Sequence, residues 1–140
     1  MIYLTRRYWF SASHRLYHPR LSEAENRRVY GKCSNAGGHG HNYALEVTVR
    51  GEPHPQTGMV VDLRELDAFV EGEILERFDR AYLNADHDCF ADQVPTAENL
   101  CVQIYSLFQR GFRQAPVSHV RLQETSLNSF EYWGEEGERR

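Results

Sequence analysis

Two alternating stretches constrain the fold most. In "MIYLTRRYWFSASH", residues 1–14, Ile2, Leu4, Tyr8, Phe10 and Ala12 oppose Arg7, Trp9 and Ser11. In "HGHNYALEVTVRGE", residues 39–52, Tyr43, Leu45, Val47 and Val49 share one side. Period-two alternation marks a strand with one buried face. A sheet built from such strands needs another layer over its apolar side.

Helical patterns supply that layer. Asp62 is placed to cap a helix, with Glu65 at the box position. Leu63, Leu66, Val70, Ile74 and Phe78 then repeat at helical spacing. Thr96, after Pro95, starts a second helix with Leu100, Ile104, Leu107 and Phe108 as its stripe, and Gly111 is a plausible stop. Ser22 with Glu25 three residues on reads as a capping box for a short helix. "PHPQTG" is turn chemistry, and "MVVD" after it is expected to pair as a hairpin strand. Residues 79–95 look irregular. "VSHVRLQET" and "SFEYWG" read as a closing strand pair around a Ser-Leu-Asn turn, and "EEGERR" as a frayed tail. The expected architecture is a single α+β domain over residues 1–140, with an antiparallel sheet and helices on one face.

Composition narrows the setting. No apolar run approaches the ~20 residues of a membrane span, so no membrane partner is expected. The opening lacks the apolar stretch of a signal peptide, and three unpatterned cysteines, Cys33, Cys89 and Cys101, read as free thiols; the expected location is the cytoplasm. Cys101 falls on a helical stripe and reads as core, whereas Cys89 is ambiguous. The net charge is −4, yet residues 1–32 hold seven basic side chains against Glu23 and Glu25. That imbalance can steer an anionic small molecule. It does not extend into the basic stripe that nucleic acid needs, so no nucleic-acid partner is expected.

The chemistry gathers in "YGKCSNAGGHGHNY", residues 30–43. His39 and His41, two apart on a strand, project to the same face. Gly38 and Gly40 leave room beside them. If the two long strands pair, His14 at the end of the first completes a three-imidazole set. Such a set suits Zn²⁺ and leaves a fourth position open, the pattern of a catalytic rather than a structural site. A zinc site using Cys33 and two histidines is the alternative. Cys33 itself follows Lys32, the only lysine in the chain, which favours a reactive thiolate. His18, His54, His87 and His119 have no such spacing and read as surface or packing residues.

Together, "FSASHRL", "YGKCSNAGGHGHNY", "PTAEN" and "LQETS" resemble the 6-pyruvoyltetrahydropterin synthase family, which includes the 6-carboxytetrahydropterin synthases of queuosine and deazapurine biosynthesis. The resemblance runs from about residue 3 to residue 133. Its five-residue spacer between cysteine and histidine is more like the pyruvoyl enzymes. It implies the tunnelling fold, with four-stranded sheets joined into a barrel by three subunits and two trimers stacked as a hexamer. It implies zinc on His14, His39 and His41, Cys33 as general base, and 7,8-dihydroneopterin triphosphate as substrate of a carbon–oxygen lyase. It implies Glu124 as the anchor of the pterin ring, with Thr96 and Glu98 contacting pterin from a neighbouring subunit. One position departs: where the family has Asp-His, this chain has Asp79 and Arg80. Arginine stays protonated and cannot relay a proton. His87, seven residues on, is the alternative relay, and a pterin-binding homologue with impaired turnover is the alternative outcome.

Overall fold

The computed structural model describes residues 1–135. Strand β1 (Ile2–His14) and strand β2 (His39–Gly51) pair antiparallel along their whole length, from Ile2 opposite Gly51 to His14 opposite His39. Between them lie α1 (Glu23–Tyr30) and a 3₁₀ turn (Gly31–Ser34). The capping box is formed: Ser22 Oγ accepts from the Glu25 N–H, and the Glu25 carboxylate accepts from the Ser22 N–H.

After β2 the chain turns into α2 (Leu63–Val70), which runs on through a π-helical stretch (Glu71–Leu75) into α3 (Glu76–Phe78). Asp62 caps it by accepting from the Arg64 N–H and side chain; Glu65 makes no reciprocal box. Strand β3 (Ala81–Tyr82), a helical turn α4 (Leu83–Asp86) and a 3₁₀ turn (Asp88–Phe90) follow. Helix α5 (Ala97–Gly111), capped by Thr96, leads to β4 (Val117–Gln123) and β5 (Ser129–Tyr132).

The sheet has five strands in the order β3-β1-β2-β4-β5. All neighbours are antiparallel except β3, which lies parallel to β1 through Ala12–Ala81 and Ser13–Tyr82. Residues 79–95, expected to be irregular, therefore carry a strand and two short helical turns. "MVVD" is corrected: it forms no strand. Strand β2 already has β1 on one edge and β4 on the other, so no edge is free for it. Val61 is buried in the core from a loop instead, and Val60 packs at Gly51. The expected tail, "EEGERR", falls outside the described residues save for Glu135.

One face of the sheet meets the helices. Tyr8, Phe10, Ala12, Tyr43, Leu45, Val47, Val49, Val120 and Leu122 bury there against Leu66, Val70, Ile74, Phe78, Leu100, Ile104 and Phe108. Each large apolar side chain so buried contributes roughly 1.5–3 kcal/mol. Arg6, bidentate on Asp67 at 2.8 and 2.9 Å, and Tyr8, whose hydroxyl donates to the same carboxylate, pin α2 to β1. The opposite face is polar, crossed by a row of ion pairs from Arg7 to Glu46, Arg121 and Glu131.

Candidate metal and ligand site

The buried row of β1 ends in His14, and the buried row of β2 begins with His39 and His41. Side chains that would otherwise continue the core thus reach its open end as imidazoles. Their ligand nitrogens all lie within 4.8 Å of one another. His14 Nε2 and His39 Nε2 are 3.2 Å apart, and the three rings stand edge-on, with centroids 4.7–5.1 Å apart. Strand register explains this: His14 is opposite His39, and His41 is the next residue on that face.

His14 is fully buried, and its Nδ1 lies 2.7 Å from the Pro95 carbonyl oxygen. A carbonyl only accepts, so Nδ1 carries the hydrogen and Nε2 keeps its lone pair facing the other histidines. Burial pushes the His14 pKa down to about 4, and burial together with His41 lowers that of His39. Both rings are therefore neutral, the form that binds metals. His41 Nε2 is buried with no hydrogen-bond partner, which a cation in the set would supply. The donor set fits a metal ion such as zinc. Cys33 is not in the cluster, which removes the alternative of a mixed cysteine–histidine set.

Glu124, one step past the Ala44–Gln123 pair, brings a carboxylate oxygen to 3.9 Å from His41 Nε2 and 4.0 Å from His14 Nε2. Cys33 is half-buried on its 3₁₀ turn. Lys32 was expected to favour its thiolate, and that expectation is corrected: burial pushes the thiol pKa up, and the Glu124 charge pushes it further. Glu124 and Cys33 also raise the pKa of the Tyr43 phenol, after burial, and that hydroxyl is enclosed without a partner.

The remaining predicted residues lie nearby or apart. Thr96 caps α5 by accepting from the Asn99 N–H, directly after the Pro95 that holds His14; Glu98 is exposed in the first turn. Asp79 and Arg80 are exposed at the outer edge of β1. Asp79 Oδ1 accepts from the Ser11 N–H at 3.0 Å, and the Arg80 N–H donates to the Ser11 carbonyl at 2.5 Å. Arg80 has φ +62°, the left-handed region, and it lines an open cleft of about 290 Å³ with Ser11, Ser13, Gly40 and Asn42. Among the described residues no hydrogen bond or ion pair joins either to Cys33. The His87 ring lies 5.0 Å from that of Phe78. Sequence reading missed the Pro95 carbonyl, the Tyr43 hydroxyl and Asn84. Main-chain atoms leave no mark in side-chain patterns, and Tyr43 was indistinguishable from a core aromatic.

A histidine triad at the open end of a helix-backed sheet defines the class, a tunnelling-fold protein with a centre able to take a metal. A family profile described as "6-pyruvoyl tetrahydropterin synthase" matches residues 3–135. The chain belongs to that family. It is 46% identical over 133 residues to a 6-pyruvoyl tetrahydrobiopterin synthase of Poecilia reticulata, covering 95% of this chain and 90% of the relative. The solved structure of Caenorhabditis elegans 6-pyruvoyl tetrahydropterin synthase superposes with a TM-score of 0.90 at 37% identity, covering 96% of each chain. A putative 6-carboxy-5,6,7,8-tetrahydropterin synthase of Archaeoglobus fulgidus is 33% identical over 105 residues, covering 74% of this chain and 81% of the relative.

Proposed function

We propose that the protein is a zinc-dependent 6-pyruvoyltetrahydropterin synthase-like lyase acting on 7,8-dihydroneopterin triphosphate, eliminating triphosphate and rearranging the side chain. The observation that carries this is the imidazole triad with the Glu124 carboxylate beside it. Zinc on His14, His39 and His41 would supply Lewis acidity to the carbons next to the substrate hydroxyls. Glu124 accepts hydrogen bonds from the pterin ring N–H groups, a charge-assisted pairing that fixes the ring. Cys33 exchanges protons with the side-chain carbons. Asp79 and Arg80 stand at the family's relay position, and Thr96 and Glu98 contact pterin across a subunit boundary. Subunits join at their sheet edges into trimers, and trimers stack into hexamers.

Mass spectrometry of products from zinc-loaded protein and 7,8-dihydroneopterin triphosphate tests the reading. A pyruvoyl pterin with released triphosphate is expected. Acetaldehyde would instead mark the carboxy-forming branch, and substrate recovered bound but intact would mark a binding homologue. The exchange of histidine for Arg80 is the observation that favours that last outcome.

A further inference from the structure

The turn carrying Cys33 is short and exposed on its outer side, yet it is tied down at one place. The Leu16 N–H donates to the Cys33 carbonyl at 2.8 Å, and Arg15 Nε donates to the Ser34 carbonyl at 2.9 Å. The other hydrogen bonds described for Gly31–Ser34 stay within the turn, its flanking residue or α1. Arg15 is itself gripped. Its N–H donates to Asn84 Oδ1 at 2.7 Å, and Asn84 Nδ2 donates back to its carbonyl at 2.8 Å. The guanidinium lies 4.2 Å from the ring centre of Tyr17. One side chain on α4 thus grips the residue after His14, and that residue grips the thiol turn.

We infer that Arg15, clamped by Asn84, is a positioning residue that sets Cys33 against the histidine and Glu124 site. Arg15 joins three segments: the end of β1 that bears His14, the turn that bears Cys33, and α4, which follows the Asp79–Arg80 corner. The inference rests on the proposed reaction for the role of Cys33, but the clamp is defined without it. Displacing a reacting group by about 1 Å can cost on the order of 100-fold in rate, so the one hydrogen bond lost with the Arg15 side chain, or the two lost with that of Asn84, matter at the turn that bears Cys33.

Arg15→Met and Asn84→Ala test it in the zinc-loaded protein, with iodoacetamide labelling of each cysteine followed by peptide mass spectrometry. Cys33 should label about 3- to 10-fold faster once its turn is released, as local opening predicts. Cys89 and Cys101 should keep their wild-type rates, and zinc content should hold. With 7,8-dihydroneopterin triphosphate, kcat should fall about 10- to 100-fold with KM within about twofold. Arg15→Lys, which keeps a donor, should recover part of that loss. Unchanged labelling at Cys33, or parallel acceleration of all three thiols, overturns the inference. If Arg15→Met does not fold, Asn84→Ala decides alone. If the wild type shows no turnover, the proposed reaction fails while the labelling contrast still decides the clamp.

Discussion

Burial sets the protonation of His14. An imidazole in the unfolded chain takes its proton near pH 6.5, the folded one only near 4. Between these values the unfolded chain binds more protons, so acid destabilises the metal-free protein. Its full contribution is present above pH 6.5 and is lost as pH falls toward 4, at up to about 1.4 kcal/mol per pH unit for each such group. His39 shifts in the same direction. Urea midpoints of zinc-free protein should fall steadily from pH 7 to pH 4.5; equal midpoints would contradict the assignment. Losing one ligand of three should remove most metal affinity, so His39→Ala protein should carry little zinc after dialysis, and equal metal content in both proteins would refute the site. Under the proposed reaction, histidine at position 80 supplies a group able to relay protons. Such a group is typically worth about 10²- to 10⁴-fold, so Arg80→His should raise kcat and leave KM nearly unchanged. His87 packs on Phe78, so His87→Ala should lower thermal stability more than turnover. Steady-state kinetics and melting curves of both variants separate these effects.

The loop entering β2 closes on a hydrogen bond from the Gly38 N–H to the Asn35 carbonyl at 2.9 Å and packs tightly on the end of β1. Gly38 has φ +67°, and a Cβ there would stand 2.8 Å from the His14 carbonyl oxygen and 3.3 Å from the Tyr82 ring. Gly38→Ala should therefore push the end of β1 away from His39 and weaken zinc binding at least about tenfold, more than it lowers stability, because the strain falls on a metal ligand. Competition with a chelating dye measures this. At this scale much was legible. Alternation located β1 and β2 because each buries one face, and their full-length pairing is what brings His14 to His39. The Ser22 box and the Thr96 cap were readable because both are local. "MVVD" misled because apolar residues serve a buried loop as well as a strand, and only the neighbours of β2 decide between them. β3 was invisible because two residues carry no periodicity. The hold of Pro95 on His14 and of Asn84 on Arg15 spans 81 and 69 residues of sequence, and no local pattern encodes it.

For the whole molecule, the sheet edges matter. The outer edge of β1 is paired only at Ala12 and Ser13, and β5 forms the other edge with no further strand described beyond it. Open edges of this kind invite pairing with another chain. Sedimentation should give a closed multiple of the 16.3 kDa chain, with a hexamer expected, and a monomer at micromolar concentration would refute the assembly. The helix running from α2 to α3 has a related logic. Leu66, Val70, Ile74 and Phe78 are spaced by four, and all are buried. A regular α-helix turns about 40° too far at each such step, roughly 120° over the three. The π-helical stretch at Glu71–Leu75 winds more slowly and takes back that excess. It works as a phase corrector: it holds one residue more than a regular helix needs, so removing one there, at the unobstructed Gly72 for example, leaves Leu66, Val70, Ile74 and Phe78 at the 4-3-4 spacing that a regular helix keeps on one face. Phe78 should stay in the core, and Asp79 should keep the Ser11 N–H it now holds. The surplus residue is taken up in the winding, so this helix is freer to lose one residue at Glu71–Leu75 than anywhere else along it.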